Sequence, residues 1–485
     1  MATSPENVAP GRPPRSGVIL MAIVLAGSTI EHGLHVGTAQ HFPRDLNLAY
    51  RPLPVLYDQL GHGFWMPALH TLQQPGGWYN ALLALWLHAT GPSGIAFSAM
   101  GVPWFSLLLI GVARLAWQWR GATTAVAATA LVAQLPVLIL SSRLGWIHVP
   151  EATLVVLAAG VWASDPRLTR PANALWIGIA GALAITLRPS GVLWFLLLGA
   201  SGGVAGWRAG GVRPRAIGMV LGSWVLAALV PAPIFANYVH GKLGVAERYA
   251  GVVPGLGAQL LDQLHVSGIV LVGLGIASLA LHRRDSSGPR GGDPLHRLIL
   301  AGWVLASLAM YAVVHCGLDN FPLFYVGLSM IAAAGLSRGR SGPWLTALVV
   351  LAWALGTAGR AYEELTVHPE LPSTRVHALL DATCPHRDAK HRCIVVADGG
   401  LFVPHSEEPG GLELFLMQEP GVDLYSVGQR RAEGLRPDGL ATWQCGAQPA
   451  SPATDALVSR WGLSPSFEAP VEGCEFRWFT ARPAP

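Results

Sequence analysis

Charged residues are scarce in this chain: 12% of 485 residues are Asp, Glu, Lys or Arg, against 52% apolar. A soluble domain carries about 25% charged residues, so the shortfall excludes a soluble protein of two or three ordinary domains. The formal net charge is only +4, and its arginines are scattered over short loops, which excludes a nucleic-acid-binding surface. Familiar catalytic signatures are also missing. The sequence holds no GxGxxG in a strand–turn–helix setting, no Walker loop, no GxSxG and no HExxH. Its 17 histidines show no metal-ligand spacing. No internal repeat of the kind that marks secondary transporters is visible. The first apolar stretch has no small-residue cleavage site after it, so it reads as an uncleaved span rather than a signal peptide.

What the chain has in quantity is long apolar runs, with a mean hydropathy of +0.42. A bilayer span needs about 20 mostly apolar residues, or somewhat fewer with snorkelling flanks. About eleven stretches qualify: 17–37, 93–117, 121–142, 151–164, 172–188, 190–206, 216–238, 266–282, 298–316, 321–337 and 343–360. Residues 1–16 are polar, Pro-rich and expected to be disordered. Three parts follow: a cytoplasmic N-terminus (1–16), a transmembrane module (17–360) and a soluble tail (361–485).

The loops alternate between arginine-rich and arginine-poor. With the N-terminus in the cytoplasm, fifteen arginines between Arg12 and Arg340 lie inside, against six outer Arg and Lys residues before the tail. This is the positive-inside bias. Gly77–Thr90 is apolar but short, and as a span it would reverse the bias. It therefore reads as a juxtamembrane helix lying on the outer surface, with Trp78, Tyr79 and Trp86 in the interfacial belt. The outer face then carries loop 38–92, the hairpin Ser141–Glu151 and the tail. The tail is expected to be a small α/β domain, with strands at 392–398 and 421–427 and a short helix at 376–382. Four of the five cysteines lie in it: Cys384, Cys393, Cys445 and Cys474. In an oxidising compartment they most simply form two disulfides, with three pairings open. Their spacing is not a zinc pattern.

Charged groups in or bordering a bilayer need a reason. Asp45 and Asp58 lie in loop 38–92, Glu31 in the outer third of the first span, and Glu151 at the start of the fourth. All face one compartment, as general-base or metal-assisted transfer requires. The plainer reading of any one of them is a solvated loop acid. Arg188-Pro189-Ser190-Gly191 forms an outer turn, whose arginine either presents a fork to phosphate or snorkels. Arg143 and His148 flank Glu151 and either pair with it or contact an anionic donor. Loop 239–265 adds Lys242, Arg248 and Tyr249. Asp319 and Asn320 read as solvated turn residues.

The order of these features resembles the GT-C polytopic glycosyltransferases, in particular the family 39 protein O-mannosyltransferases and the lipid A aminoarabinose transferases. The resemblance lies in a first span and a long outer loop with an acid. Then come an aromatic surface helix (Gln74-Pro75-Gly76-Gly77-Trp78-Tyr79 to Gly91), a hairpin with an acid after its turn (Ser141-Ser142-Arg143 to Glu151), and Arg188-Pro189-Ser190-Gly191. It implies an all-α polytopic membrane fold with a small C-terminal α/β periplasmic domain. It also implies transfer of a sugar, with inversion, from a polyprenyl-phosphate donor to a lipid, glycan or protein acceptor on the outer face of the bacterial cytoplasmic membrane. Asp45 would be the base, with Asp58 second and Glu31 third. Glu151 matches the second acid, and Arg188 stands where the family usually has a lysine that contacts phosphate. Arg143 and Arg248 would add positive charge. No certain cofactor is implied; a divalent metal is compatible but not required. The chain departs from the family pattern at Asp45-Leu46, where the family has an Asp-Glu pair, and at Gln74-Pro75. Two other classes stay open: a transporter or flippase of lipid-linked sugars, and a catalytically inactive relative whose tail binds a partner.

Overall fold

A computed structural model of the chain describes residues 15–34, 53, 56, 60, 76–90, 96, 99–143, 147–229, 255–281, 293–314, 317–338, 341–366, 372–387, 391–399, 421–426, 435–445, 452–471 and 474–481. Among the described residues, the helices up to residue 366 are α1 (Arg15–Leu34), α2 (Gly77–Thr90), α3 (Gly101–Arg120), α4 (Ala122–Ala133), α5 (Pro136–Arg143), α6 (His148–Ser164), α7 (Pro171–Leu187), α8 (Ser190–Arg208), α9 (Pro214–Leu229), α10 (Leu256–Leu281), α11 (Asp293–Val314), α12 (Pro322–Leu336) and α13 (Gly342–Thr366). The chain divides into two compact units. One holds residues 1–33, 102–142 and 148–362; the other holds 34–101, 143–147 and 363–485.

Where the expected spans fall on described residues they are largely helical, but the helices differ in reach. Among the described residues, five are long and apolar enough to cross a membrane by themselves: α1, α8, α10, α11 and α13. The stretch 121–142, expected as one span, is two helices, α4 and α5, bent by 64°. Pro136 begins the second of them and has no N–H to continue the first. α6, α7, α9 and α12 are apolar but shorter. α3 has the length, but Arg114, Gln118 and Arg120 interrupt its apolar run.

Within the first unit, packing is by close helix approach and by tryptophan. α10 and α12 meet so closely at Gly275 and Gly335 that a Cβ on either would collide with the other backbone. Small residues serve this purpose in membrane helices. Trp224 of α9 donates to the Ile177 carbonyl of α7 (3.3 Å) and packs edge-on against Phe195. Trp353 of α13 donates to the Ser28 hydroxyl of α1 (3.0 Å). Some buried hydroxyls bond back to their own helix, as Thr129 does to Ala125 and Ser307 to Trp303, so the polarity of these two is satisfied without water. Outward faces are apolar and open, including Leu226, Leu305, Val313 and Leu355, each about two-thirds exposed. Such a surface suits lipid rather than water.

The link from α6 to α7 is tied by Asp165. Its carboxylate accepts from the Thr169 and Arg170 N–H groups (2.9 Å each), the Thr169 hydroxyl and the Asn173 amide. Burial raises the affinity of this carboxyl for its proton, but the four hydrogen bonds outweigh it and hold Asp165 below its ordinary value.

In the second unit, α14 (Pro372–Thr383), β1 (Cys393–Gly399), β2 (Val422–Ser426), β3 (Gly439–Cys445), α15 (Pro452–Trp461), β4 (Leu463–Val471) and β5 (Cys474–Ala481) form a mixed sheet with helices. The strand order is β2-β1-β3-β5-β4. β1 runs parallel to β2 and β3, while β5 is antiparallel to β3 and β4. Val396, Leu440 and Leu463 pack against Leu457, Val458 and Trp461 of α15. On another strand face, Trp478 donates to the Thr383 hydroxyl of α14 (3.2 Å). Helix 376–382 and both expected strands are present, and the sheet gains β3, β4 and β5. A disulfide joins Cys384 to Cys393, tying the end of α14 to the start of β1. The register sets Cys445 opposite Cys474; the side chains of that pair lie outside the described set.

Candidate active site

Glu151 lies in the first turn of α6. The helix N-terminus there favours an acid, and Pro150 is tolerated because first-turn N–H groups have no helical acceptor. The Glu151 side chain is only 3% exposed. Arg188 comes from the other side of the site, as the C-cap of α7, in extended conformation (φ −150°, ψ 150°). The proline after it favours that conformation. Pro189 caps α8 and Ser190 begins it. Gly191 has a specific reason: a Cβ there would run into the Ala184 carbonyl of α7, so the reversal from α7 to α8 closes this tightly only on glycine.

These turns bring three groups together. Arg188 Nη1 donates to Glu151 Oε2 at 3.2 Å and to the Asn320 carbonyl at 3.1 Å. The Ser190 hydroxyl donates to Glu151 Oε1 at 2.5 Å. Both carboxylate oxygens are thus engaged. Asn320 ends the short 3-10 turn Leu318–Asn320, which the Gln259 side chain of α10 holds by accepting from Leu318 N–H (2.6 Å). The guanidinium is fixed entirely through Nη1; its Nε and Nη2 hold no hydrogen bond among the described residues. The Arg188 side chain is 14% exposed, so those donors are held near an opening rather than sealed in the core.

A second polar group lies at the end of α1. Arg360 Nε donates to Glu31 Oε1 at 2.8 Å. His32 and the Ser142 hydroxyl are hydrogen-bonded at 2.8 Å, and the imidazole stacks on Phe105 at 4.6 Å. Glu31, considered as a base from its place in the first span, is the partner of a cation 329 residues away.

The remaining candidates divide plainly. His148 opens α6, half-buried. Arg143 ends α5, but its side chain lies outside the described set. Asp45, Asp58 and Arg248 lie outside the described residues. Ser190 and Asn320 were not singled out by chemistry in the sequence. Ser190 was visible only as part of its turn motif, and Asn320 acts through its backbone carbonyl, which no side-chain pattern reveals. Arg360 carries a sequence signal of its own, a cation at the end of an apolar run. Among the described residues, the one grouping with metal-ligand geometry is Cys384, Cys393 and Asp438, and its two sulfurs are joined in the disulfide. Glu151 belongs to no such grouping.

No protein-family model matches the sequence, and no curated protein is significantly similar to it. Solved structures are. ArnT from Cupriavidus metallidurans, in its complex with undecaprenyl phosphate, matches 95% of this chain with 97% of its own, at 12% identity and a TM-score of 0.57. The Archaeoglobus fulgidus oligosaccharyltransferase matches 77% of the chain at 14% identity and a TM-score of 0.45, over 60% of its own length. Mycobacterial arabinofuranosyltransferase AftD matches 96% at 15% identity and a TM-score of 0.45; the chain spans 40% of its length. The fold assignment rests on the first of these. The chain shares the fold of ArnT, in keeping with the resemblance that the order of its motifs carries.

Proposed function

We propose that this chain is a membrane glycosyltransferase that moves a sugar from a polyprenyl-phosphate donor to an acceptor on the outer face of a bacterial cytoplasmic membrane. The observation that carries the reading is the Arg188 guanidinium. It is pinned through one nitrogen by the buried Glu151 carboxylate and the Asn320 carbonyl, and its other donors are unpaired among the described residues. A rigid fork of this kind suits a phosphate that gains charge as it leaves. ArnT, whose fold the chain shares, was solved with undecaprenyl phosphate, which supports a carrier of that chemistry here.

In the proposed reaction a loop carboxylate takes the proton of the acceptor hydroxyl. Asp45 is the first candidate and Asp58 the second. The acceptor oxygen bonds to the anomeric carbon from the face opposite the carrier. The bond from that carbon to the phosphate oxygen breaks, its electron pair passes to the carrier phosphate, and the sugar is inverted. Arg188 stabilises the phosphate as its charge develops. Glu151 is a positioning residue: with both oxygens occupied, it aims Arg188 rather than accepting a proton. Arg143, His148 and Arg248 remain proposed contacts to the donor, and the tail is proposed to lie on the outer face, where its disulfide would persist. No step requires a metal.

The test is transfer or donor cleavage by purified protein. Arg188→Ala should lower the rate constant for donor cleavage by about 10²–10³-fold, the range for removal of one donor to a developing oxyanion. Unchanged cleavage in a folded Arg188→Ala variant would remove Arg188 from the mechanism.

A further inference from the structure

α1 and α3 touch directly at one end. The Thr29 and Ser106 hydroxyls are hydrogen-bonded at 3.0 Å, and His32 stacks on Phe105. Toward the N-terminus of α1 and the C-terminus of α3, the same two helices line a cavity of about 380 Å³. Met21 and Leu25 form one wall; Ile110, Ala113, Trp117 and Gln118 form the other, with Arg114 among them. The size is in the range of small-ligand sites, roughly 300–1,000 Å³.

Two polar groups lining this apolar groove meet no partner among the described residues. Arg114 makes no ion pair, hydrogen bond or ring contact among the described residues. It stands six residues before the end of α3, about 9 Å along the helix axis at 1.5 Å per residue. The buried Gln118 Oε1 has no hydrogen-bond partner among the described residues. A cation inside a membrane helix ordinarily finds an anion, a carbonyl or a water-filled path, and a buried acceptor ordinarily finds a donor.

We propose that this groove is a binding site for one anionic glycerophospholipid of the phosphatidylglycerol type, drawn from the leaflet next to the C-terminus of α3. Its phosphate sits on the Arg114 guanidinium, a headgroup hydroxyl donates to Gln118 Oε1, and an acyl chain lies over Met21, Leu25, Ile110 and Trp117. The occupant is set by complementarity: an exposed cation, an unmet acceptor one helical turn beyond it, and an apolar trough continuing away from both. A zwitterionic choline lipid satisfies the trough but carries no headgroup donor for Gln118 and no net negative charge for Arg114. The site is separate from the Glu151–Arg188 cluster and rests only on α1 and α3 being within a bilayer.

Native mass spectrometry of the full chain in detergent, titrated with phosphatidylglycerol and phosphatidylcholine of equal chain length, tests this. One phosphatidylglycerol should be retained with at least tenfold preference, and Arg114→Leu should reduce that preference to near unity. Arg114→Leu makes the helix more apolar and removes no protein partner, so an unchanged melting temperature should accompany the loss. Ala113→Trp, which fills the groove, should weaken both lipids. Equal retention of the two lipids by wild type, or an undiminished preference in Arg114→Leu, overturns the proposal. So does displacement of the phospholipid by millimolar inorganic phosphate, which would mark a bare anion site. Displacement by equimolar polyprenyl phosphate would assign the groove to that carrier instead.

Discussion

Arg188 and Glu151 form a pair whose members depend on each other unequally. Removing the arginine leaves a buried carboxylate without its cation, and loss of one partner of a buried pair costs about 3–5 kcal/mol. Arg188→Ala should therefore lower the melting temperature as well as activity, whereas Glu151→Gln keeps the shape and one acceptor oxygen. On the proposed mechanism Glu151→Gln should slow donor cleavage by loosening Arg188 while leaving the pH profile of the rate unchanged. A shifted acid limb in that profile would instead make Glu151 the base. Arg188→Lys keeps the charge but not the fork, and its activity should lie between wild type and alanine. Asp165 offers a pH test away from the site. Its carboxyl is held below its ordinary value in the folded protein. It therefore contributes stability fully above the unfolded carboxyl value of about 3.9, and that contribution is lost as pH falls through the lower folded value. Asp165→Ala should cost about 1.5–3 kcal/mol at neutral pH, the range for hydrogen bonds to a charged group, and should flatten the acid limb of the melting curve. The sequence made Glu151 and Arg188 visible one at a time, as an acid and a cation bordering apolar runs. Their pairing was not visible, because 37 residues separate them and only the packing of α6 against the turn from α7 to α8 brings them together. The same holds for Glu31 and Arg360, at opposite ends of the helical region.

At the level of elements, the turn between α7 and α8 matters most. Gly191→Ala must displace either the Ala184 carbonyl or the start of α8, and overpacking of this kind costs about 1–3 kcal/mol. Because the turn also sets Arg188, the substitution should lower activity more than it lowers the melting temperature; an active, merely less stable variant would show that the turn does not position the arginine. Hydropathy located the helices well, since the apolar stretches are largely helical where they fall on described residues. It was weaker on their continuity. The bend at Pro136 was readable from the proline, yet the apolar composition on both sides concealed it. Within α10 the backbone departs from helix at His265 (φ 53°, ψ 169°), one residue before the stretch read from hydropathy begins, so the polar part of that helix was missed. In the tail, β4 and β5 are hard to read because prolines and charged residues such as Pro465, Pro470 and Arg477 break their alternation, and β3 is a short run with little β-branched character. Their pairing depends on partners distant in sequence.

For the molecule as a whole, the proposed orientation, with the tail in an oxidising compartment and the N-terminus in the cytoplasm, is tested through the Cys384–Cys393 disulfide. Thiol-specific labelling of intact cells should find Cys384 and Cys393 unreactive until reduced. Cys384→Ser should destabilise the tail by about 2–4 kcal/mol, read as earlier proteolysis there. Full reactivity of both thiols without reductant would place the tail in a reducing compartment and reverse the orientation. The fold class was legible from sequence because a polytopic membrane protein shows its spans in composition, and the ordered motifs carried the GT-C resemblance that the likeness to ArnT supports. Acceptor and donor sugar were not legible, since specificity lies in the shape of a cavity rather than in a motif.

The most direct test of the glycosyltransferase reading is release of polyprenyl phosphate from a panel of polyprenyl-phosphate sugars by purified protein, with wild type, Asp45→Asn and Arg188→Ala compared at equal folded concentration. The account predicts release by wild type from at least one donor and a loss of about two orders of magnitude or more in both variants. Release that is undiminished in both variants, or no release by folded wild-type protein from any donor, would contradict it.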